Sequence, residues 1–241
     1  MDVLPEAVTA LAARLAELGW VRDLLVAGSL ATDDYVPGVS DLDLVAVVDG
    51  AVDPARAALL ESLHQSLDRG VAAGADLGCV YVDESRLLDR VTRHPTWTHG
   101  ALVHRALSGI TRAELVRHGF AVIGREPTEV LPPMSDDHVR AAAREELCGY
   151  WAWASRRPLM WLDPVIADLG LTAMARGRHA LRTGQLLTKT KAIEEASAPG
   201  WLIDDLRARR RGEPVVSPRV RAGWIAWRDA RRTVSHARRD V

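Results

Sequence analysis

A chain of 241 residues, 48% hydrophobic and with a net charge of −1, can bury a sizeable core and reads as two modest domains. Its apolar runs fall far short of a bilayer and no basic-then-apolar leader opens it, so membrane spans and export are set aside and a cytoplasmic protein is expected. Cys79 and Cys148 lie inside apolar patterns and read as buried thiols, and no CxxC or HExxH spacing argues for zinc.

In chain order, residues 5–18 carry apolar positions at helical spacing, with Pro5 near the start and Gly19 after the end. Strands are predicted over 23–27 and 42–48. Asp53-Pro54 reads as an N-cap and a first-turn proline, opening a helix to about Asp68. A third strand is expected over 77–82. The segment 84–135 is less legible: Pro95 and Gly100 mark a loop holding His94, Trp97 and His99, followed by a short helix at 113–118 and a strand at 119–123. Three prolines between Gly124 and Pro133 mark a domain boundary. Beyond it, helical patterns over 135–155, 163–183, 188–197, 200–211 and 218–237 predict a bundle. The expected fold is α+β: an N-terminal domain, 1–133, with a small mixed β-sheet flanked by helices, and a C-terminal α-helical domain, 134–241.

Charge is unevenly spread. Residues 1–100 hold 7 Arg, no Lys and 16 acids, whereas residues 201–241 hold 11 Arg and 5 acids. An acid surplus in the first domain suits a cationic partner. The C-terminal arginines lie along amphipathic helical patterns with tryptophans between them. They read as a solvated helix face rather than a nucleic-acid surface.

The chemistry concentrates in Leu24-Leu-Val-Ala-Gly28-Ser29 and, after a polar loop, Ser40-Asp41-Leu-Asp43-Leu-Val-Ala-Val-Val48. Gly28 has no Cβ, so a phosphate can approach the backbone and φ angles closed to other residues are open. Ser29 adds a hydroxyl donor, and a helix starting there would also present free N–H groups. Asp41 and Asp43, at i and i+2 of a strand, leave one face of the sheet. Two adjacent carboxylates completed by phosphate oxygens and water suit Mg²⁺.

This combination resembles the signature of the DNA polymerase β nucleotidyltransferase superfamily. A second stretch, Asp168-Leu-Gly-Leu-Thr-Ala-Met-Ala-Arg176 through Thr183-Gly184 to Lys189, is similar to the C-terminal domain of aminoglycoside nucleotidyltransferases of the streptomycin/spectinomycin 3″-adenylyltransferase type. The resemblance covers most of the chain. It implies Mg²⁺-dependent transfer of AMP from ATP to a hydroxyl of a small cationic acceptor, an aminoglycoside or aminocyclitol. Asp41 and Asp43 would hold the metal, Gly28 and Ser29 the β and γ phosphates, and Arg176 and Lys189 would close on the triphosphate. Asp163, Trp161 and Trp97 are the candidates for facing the acceptor; Trp97, a tryptophan in a loop flanked by polar residues, reads at least as well as a plug that fills a gap between the domains. Lys189 and Lys191 are the only lysines among 31 basic residues, and a compact ammonium suits a phosphate at close quarters.

The superfamily's third carboxylate, on the third strand, is missing: Gly78 stands in its place. Asp76, two residues earlier and on the same face of a regular strand, is the first candidate to replace it, with a bulge or register change bringing it in. Asp83 would point the other way. Two further readings stay open: a nucleotidyltransferase that modifies protein or RNA, and a non-catalytic nucleotide or drug binder. The sequence does not specify the oligomeric state.

Overall fold

The computed structural model describes residues 4–239 and divides into two compact units, Met1–Pro133 and Met134–Val241. The first is built on a six-stranded mixed sheet of order β5-β4-β3-β2-β1-β6. Its strands are β1 (Val21–Val26), β2 (Leu42–Val48), β3 (Leu77–Asp83), β4 (Arg93–Thr98), β5 (Ala101–Ala106) and β6 (Phe120–Ile123). Only β2 and β3 run parallel. A parallel pair needs a crossover, and here it is α3 (Pro54–Asp68). Asp53 caps that helix, its Oδ1 accepting from the Arg56 N–H at 2.8 Å, with Pro54 in the first turn where a missing N–H costs nothing.

Side-chain alternation divides the core between the two faces of the sheet. Leu24, Val26, Leu42, Leu44, Ala46, Leu77, Cys79 and Tyr81 pack with α1 (Glu6–Ala16) and α3. Leu25, Val45, Val47 and Val82 pack on the other face with Leu107, Leu115 and Leu131. Leu115 belongs to α4 (Gly109–His118), which begins earlier than the sequence pattern suggests because Ser108 caps it, accepting from Thr111 N–H at 3.0 Å; Leu131 follows the single turn of α5 (Pro127–Val130).

The expected loop around Pro95 and Gly100 is instead the β4–β5 hairpin. His99 and Gly100 both have positive φ, +48° and +73°, the arrangement of a two-residue turn whose twist matches its strands. Pro95 is tolerated because β3 pairs with β4 only through Cys79–Trp97 and Val80–Thr96, leaving Pro95 beyond that ladder.

The second unit is helical. α6 (Asp136–Glu146), capped by Ser135, runs through a π-helical turn at Leu147–Trp151 into α7 (Ala152–Ala154). A 3₁₀ turn at Pro158–Leu162 leads to α8 (Pro164–Thr183), then α9 (Lys189–Glu194), α10 (Gly200–Arg210) and α11 (Arg219–Ala237). α8 carries Gly170 because a Cβ there would lie 2.3 Å from the Trp161 ring. Two ion pairs fasten the unit: Arg209 holds both oxygens of Asp168 at 2.6 and 2.9 Å, and Arg178 reaches the buried Asp229 at 2.8 Å. Both carboxyls sit above the usual carboxylate range because burial penalises their charge, with the arginines opposing that shift. Among the described residues, no helix is long and apolar enough to cross a membrane. Cys79 and Cys148 are both free thiols.

Candidate active site

Antiparallel pairing of β1 with β2, Val26 opposite Leu44, carries Gly28-Ser29 to Asp41 and Asp43. The Ala27 N–H donates to the Asp43 carbonyl at 2.9 Å, and Ser29 Oγ lies 3.5 Å from the Asp41 carbonyl. Leu42, between the two acids, is buried in the core that α1 and α3 cover, which leaves both acids exposed on the opposite side of the strand.

Gly28 opens a four-residue helix, α2 (Gly28–Ala31), with φ of +62°. A Cβ built there would come within 2.2 Å of Asp43 Oδ2, so the carboxylate lies directly against the glycine backbone. Two requirements thus converge on one residue: left-handed φ and the absence of a side chain. Thr32 secures the turn, its hydroxyl donating to the Gly28 carbonyl at 3.1 Å. The sequence reading did not single out Thr32, although Gly-Ser-x-x-Thr matches the i to i+4 back-bonding of a hydroxyl in a helix.

Hard oxygens from two exposed acids, next to a backbone with room for an anion, fit Mg²⁺, which takes one or two carboxylates and completes its shell with phosphate and water. No group of three or more Asp, Glu, His or Cys able to hold a metal occurs among the described residues. The acids are therefore a pair and not a triad.

The third position is visible in the parallel ladder, where Asp43 pairs with Gly78. Asp76 does not fill it. Its φ of +46° breaks the two-residue alternation, so the same-face expectation fails. The Asp76 carboxylate turns to His99 Nδ1 at 3.5 Å and lines a depression of about 320 Å³ with Asp68, Ala72 and Leu77, on the side of the sheet that α3 covers. Asp83 is also engaged, accepting from the Ser85 N–H at 2.9 Å and its hydroxyl at 2.8 Å. Glu84 pairs with Arg125 at 2.8 Å and Arg22 at 3.4 Å.

The two tryptophans expected at the acceptor are core residues. Trp97 is 1% exposed, stacks on His64 with centroids 5.0 Å apart, and donates its indole N–H to Asp68 at 3.1 Å. Trp161 is 1% exposed and donates to the Ala154 carbonyl at 3.1 Å. Their size and apolar faces made them equally suited to plugging a core, and burial with a satisfied N–H is what the fold gives them. Asp163 is exposed and caps α8, accepting from the Val165 N–H at 2.9 Å.

In the helical unit, Arg176 Nε donates to the Leu187 carbonyl at 2.9 Å, fastening α8 to the segment two residues before Lys189. Thr188 caps α9, whose first residue is the half-buried Lys189. The unit thus brings two cations to one end of α9. The left-handed Gly184 that precedes them is required because a Cβ would lie 2.3 Å from Asp136 Cβ.

No protein-family model and no curated protein sequence matches the chain. Among solved structures it is similar to the spectinomycin adenyltransferase AAD(9) from Enterococcus faecialis, crystallised with ATP and spectinomycin. The TM-score is 0.71 at 15% identity, over 95% of this chain and 98% of that one. This chain has that fold. At 15% identity the likeness extends to the architecture, the mixed sheet with its flanking helices and the helical second unit, and to nothing finer.

Proposed function

We propose that the chain is a Mg²⁺-dependent nucleotidyltransferase that moves AMP from ATP to a hydroxyl of a small cationic acceptor, an aminoglycoside or aminocyclitol. The observation that carries this reading is the Asp43 carboxylate lying against the left-handed Gly28, with Ser29 and Asp41 beside it. The fold shared with an adenyltransferase supports it.

In this reading, the Gly28 and Ser29 N–H groups and the Ser29 hydroxyl hold the β and γ phosphates. Arg176 and Lys189 are the helical unit's contribution to neutralising the triphosphate. Asp41 and Asp43 would hold Mg²⁺, which would supply stabilisation of the charge that develops during transfer. The acceptor oxygen bonds to the α phosphorus as the bond to the bridging oxygen breaks and pyrophosphate departs in line. The hydroxyl proton goes to solvent, because Gly78 provides no acceptor beside Asp43. Turnover is correspondingly slow, since a positioned carboxylate contributes about 10² to 10⁴ in rate.

The test is incubation with ATP, Mg²⁺ and a panel of aminocyclitols, read by mass. A product heavier by one AMP, with pyrophosphate released, supports the proposal; tight ATP binding with no transfer to any acceptor favours the binder. The missing acid is the specific observation behind that second reading.

A further inference from the structure

α11 and the two residues after it turn seven arginines to solvent, of which six, Arg221, Arg228, Arg231, Arg232, Arg238 and Arg239, share one stripe of the helix. Among the described residues none of the six forms a salt bridge, whereas Arg178, Arg207 and Arg209 of the same unit each hold an acid. Like charges at spacings of three, four and seven repel along a helix; Arg232 is partly offset by the buried Asp229, and Arg221 and Arg231 lie over the Trp201 and Trp227 rings, which leaves a repulsion that a polyanion would reduce. The sequence pattern alone reads as a solvated helix face. The lack of salt-bridge partners and the surrounding aromatics point elsewhere.

Trp224 is 53% exposed and packs against Trp227 with centroids 4.8 Å apart. Trp227 donates its indole N–H to the Ser155 carbonyl at 2.8 Å, joining α11 to the turn that bears the exposed Arg156 and Arg157. The Arg157 guanidinium lies 4.0 Å over the Trp153 ring, and Trp153, 45% exposed, stacks with Tyr150, 47% exposed. Exposed cations and exposed aromatic rings therefore occur together on α11 and on the turn that Trp227 joins to it. The length of the arginine stripe along α11, from Arg221 to Arg239, is about 27 Å, enough for several nucleotides.

We propose that this face of the helical unit binds single-stranded nucleic acid, with phosphates on the arginines and bases stacked on Trp224 and Tyr150. A membrane surface is the poorer fit. The apolar positions of α11, Ala222, Ala226, Ala230 and Val234, are buried in the core, and its exposed apolar side chains, Val220 and Trp224, sit within one turn of each other at one end, not along the helix as an interfacial helix requires. The proposal is independent of the nucleotidyltransferase reading and uses residues outside that site.

The experiment uses the full chain and fluorescein-labelled 20-mers of deoxythymidine and of uridine, read by anisotropy at 50 to 200 mM NaCl. About four to six phosphate contacts predict a log–log salt slope of about −3 to −4, or roughly 10²-fold weaker binding across that range. Trp224→Ala should weaken binding about tenfold. Arg228→Gln/Arg238→Gln/Arg239→Gln should flatten the slope by about 2 without moving the thermal midpoint. Preference for either oligomer supports the proposal and identifies the sugar. It is overturned by no binding at 50 mM NaCl, by binding indifferent to Trp224 or matched by a duplex of equal length, or by phosphatidylserine vesicles that retain the protein against excess oligonucleotide.

Discussion

Gly78 lies directly across the parallel β2–β3 ladder from Asp43, and a Cβ on it would meet only the Leu42 carbonyl at 3.5 Å and the Trp97 carbonyl at 3.8 Å. The slot beside Asp43 is therefore vacant of an acid yet open to a side chain. Gly78→Glu should fold normally and raise turnover by a factor of about 10² or more. Asp76→Asn, whose carboxylate faces His99 instead, should leave turnover within about twofold. Initial rates of parent and both variants with spectinomycin check this; a large loss in Asp76→Asn would restore that acid as the base.

Contact between Gly28 and Asp43 makes a second prediction. Gly28→Ala should cost about 1–3 kcal/mol of stability, from the left-handed φ and from displacement of the carboxylate, and should weaken Mg²⁺-ATP binding. In an Asp43→Ala background the same substitution should cost less, since the carboxylate it strikes hardest is gone. Urea denaturation of the four proteins measures that coupling. Additive costs would contradict the close approach.

Lys189→Ala should weaken ATP binding by about 1.5–3 kcal/mol, the value of a hydrogen bond to a charged group, with little change in the melting temperature of the free protein. Arg176→Ala should lose stability as well, because its Nε also holds the Leu187 carbonyl. Titration calorimetry paired with thermal melts separates the two effects. Unchanged ATP affinity in Lys189→Ala would leave that lysine as a solvated helix start.

Much of this architecture is legible in the sequence because local signals agree with the fold. Asp53-Pro54, Ser135 and Asp163-Pro164 cap the helices they predict, and Gly184 ends α8 in the left-handed conformation expected of a C-terminal glycine. Gly28-Ser29 and Asp41/Asp43 come together because β1 and β2 are adjacent in the chain and pair as a hairpin does. The β4–β5 hairpin is hidden by Pro95, which ordinarily marks a loop, and its turn needs His99 at positive φ, which residue type alone does not announce. The tryptophans are ambiguous for another reason. A large ring with one polar edge suits a core with a satisfied N–H as well as a ligand face, and only burial separates the two. The orientation of Asp76 depends on one backbone angle that strand periodicity cannot anticipate.

His64 gives a pH-dependent prediction. It is fully buried against Trp97 with Nε2 2.6 Å from the Tyr81 hydroxyl, and burial lowers its pKa from 6.5 to about 3. Between those values the unfolded chain binds a proton that the folded chain does not. Its contribution to stability is thus complete above about pH 6.5 and lost as pH falls toward about 3, by up to about 1.4 kcal/mol per unit. His64→Gln, which keeps a partner for Tyr81, should flatten stability against pH between 4 and 6 by about that slope. An unchanged slope in urea titrations would show that another group governs acid unfolding.

The most direct measurement is AMP transfer to spectinomycin by the parent and by Asp41→Asn/Asp43→Asn, with and without Mg²⁺, followed by mass and by pyrophosphate release. The account predicts slow, Mg²⁺-dependent adenylylation by the parent and none by the double variant, whose melting temperature stays close to the parent's because both acids are exposed. Equal turnover by the two proteins, or transfer by the parent that ignores Mg²⁺, would contradict it.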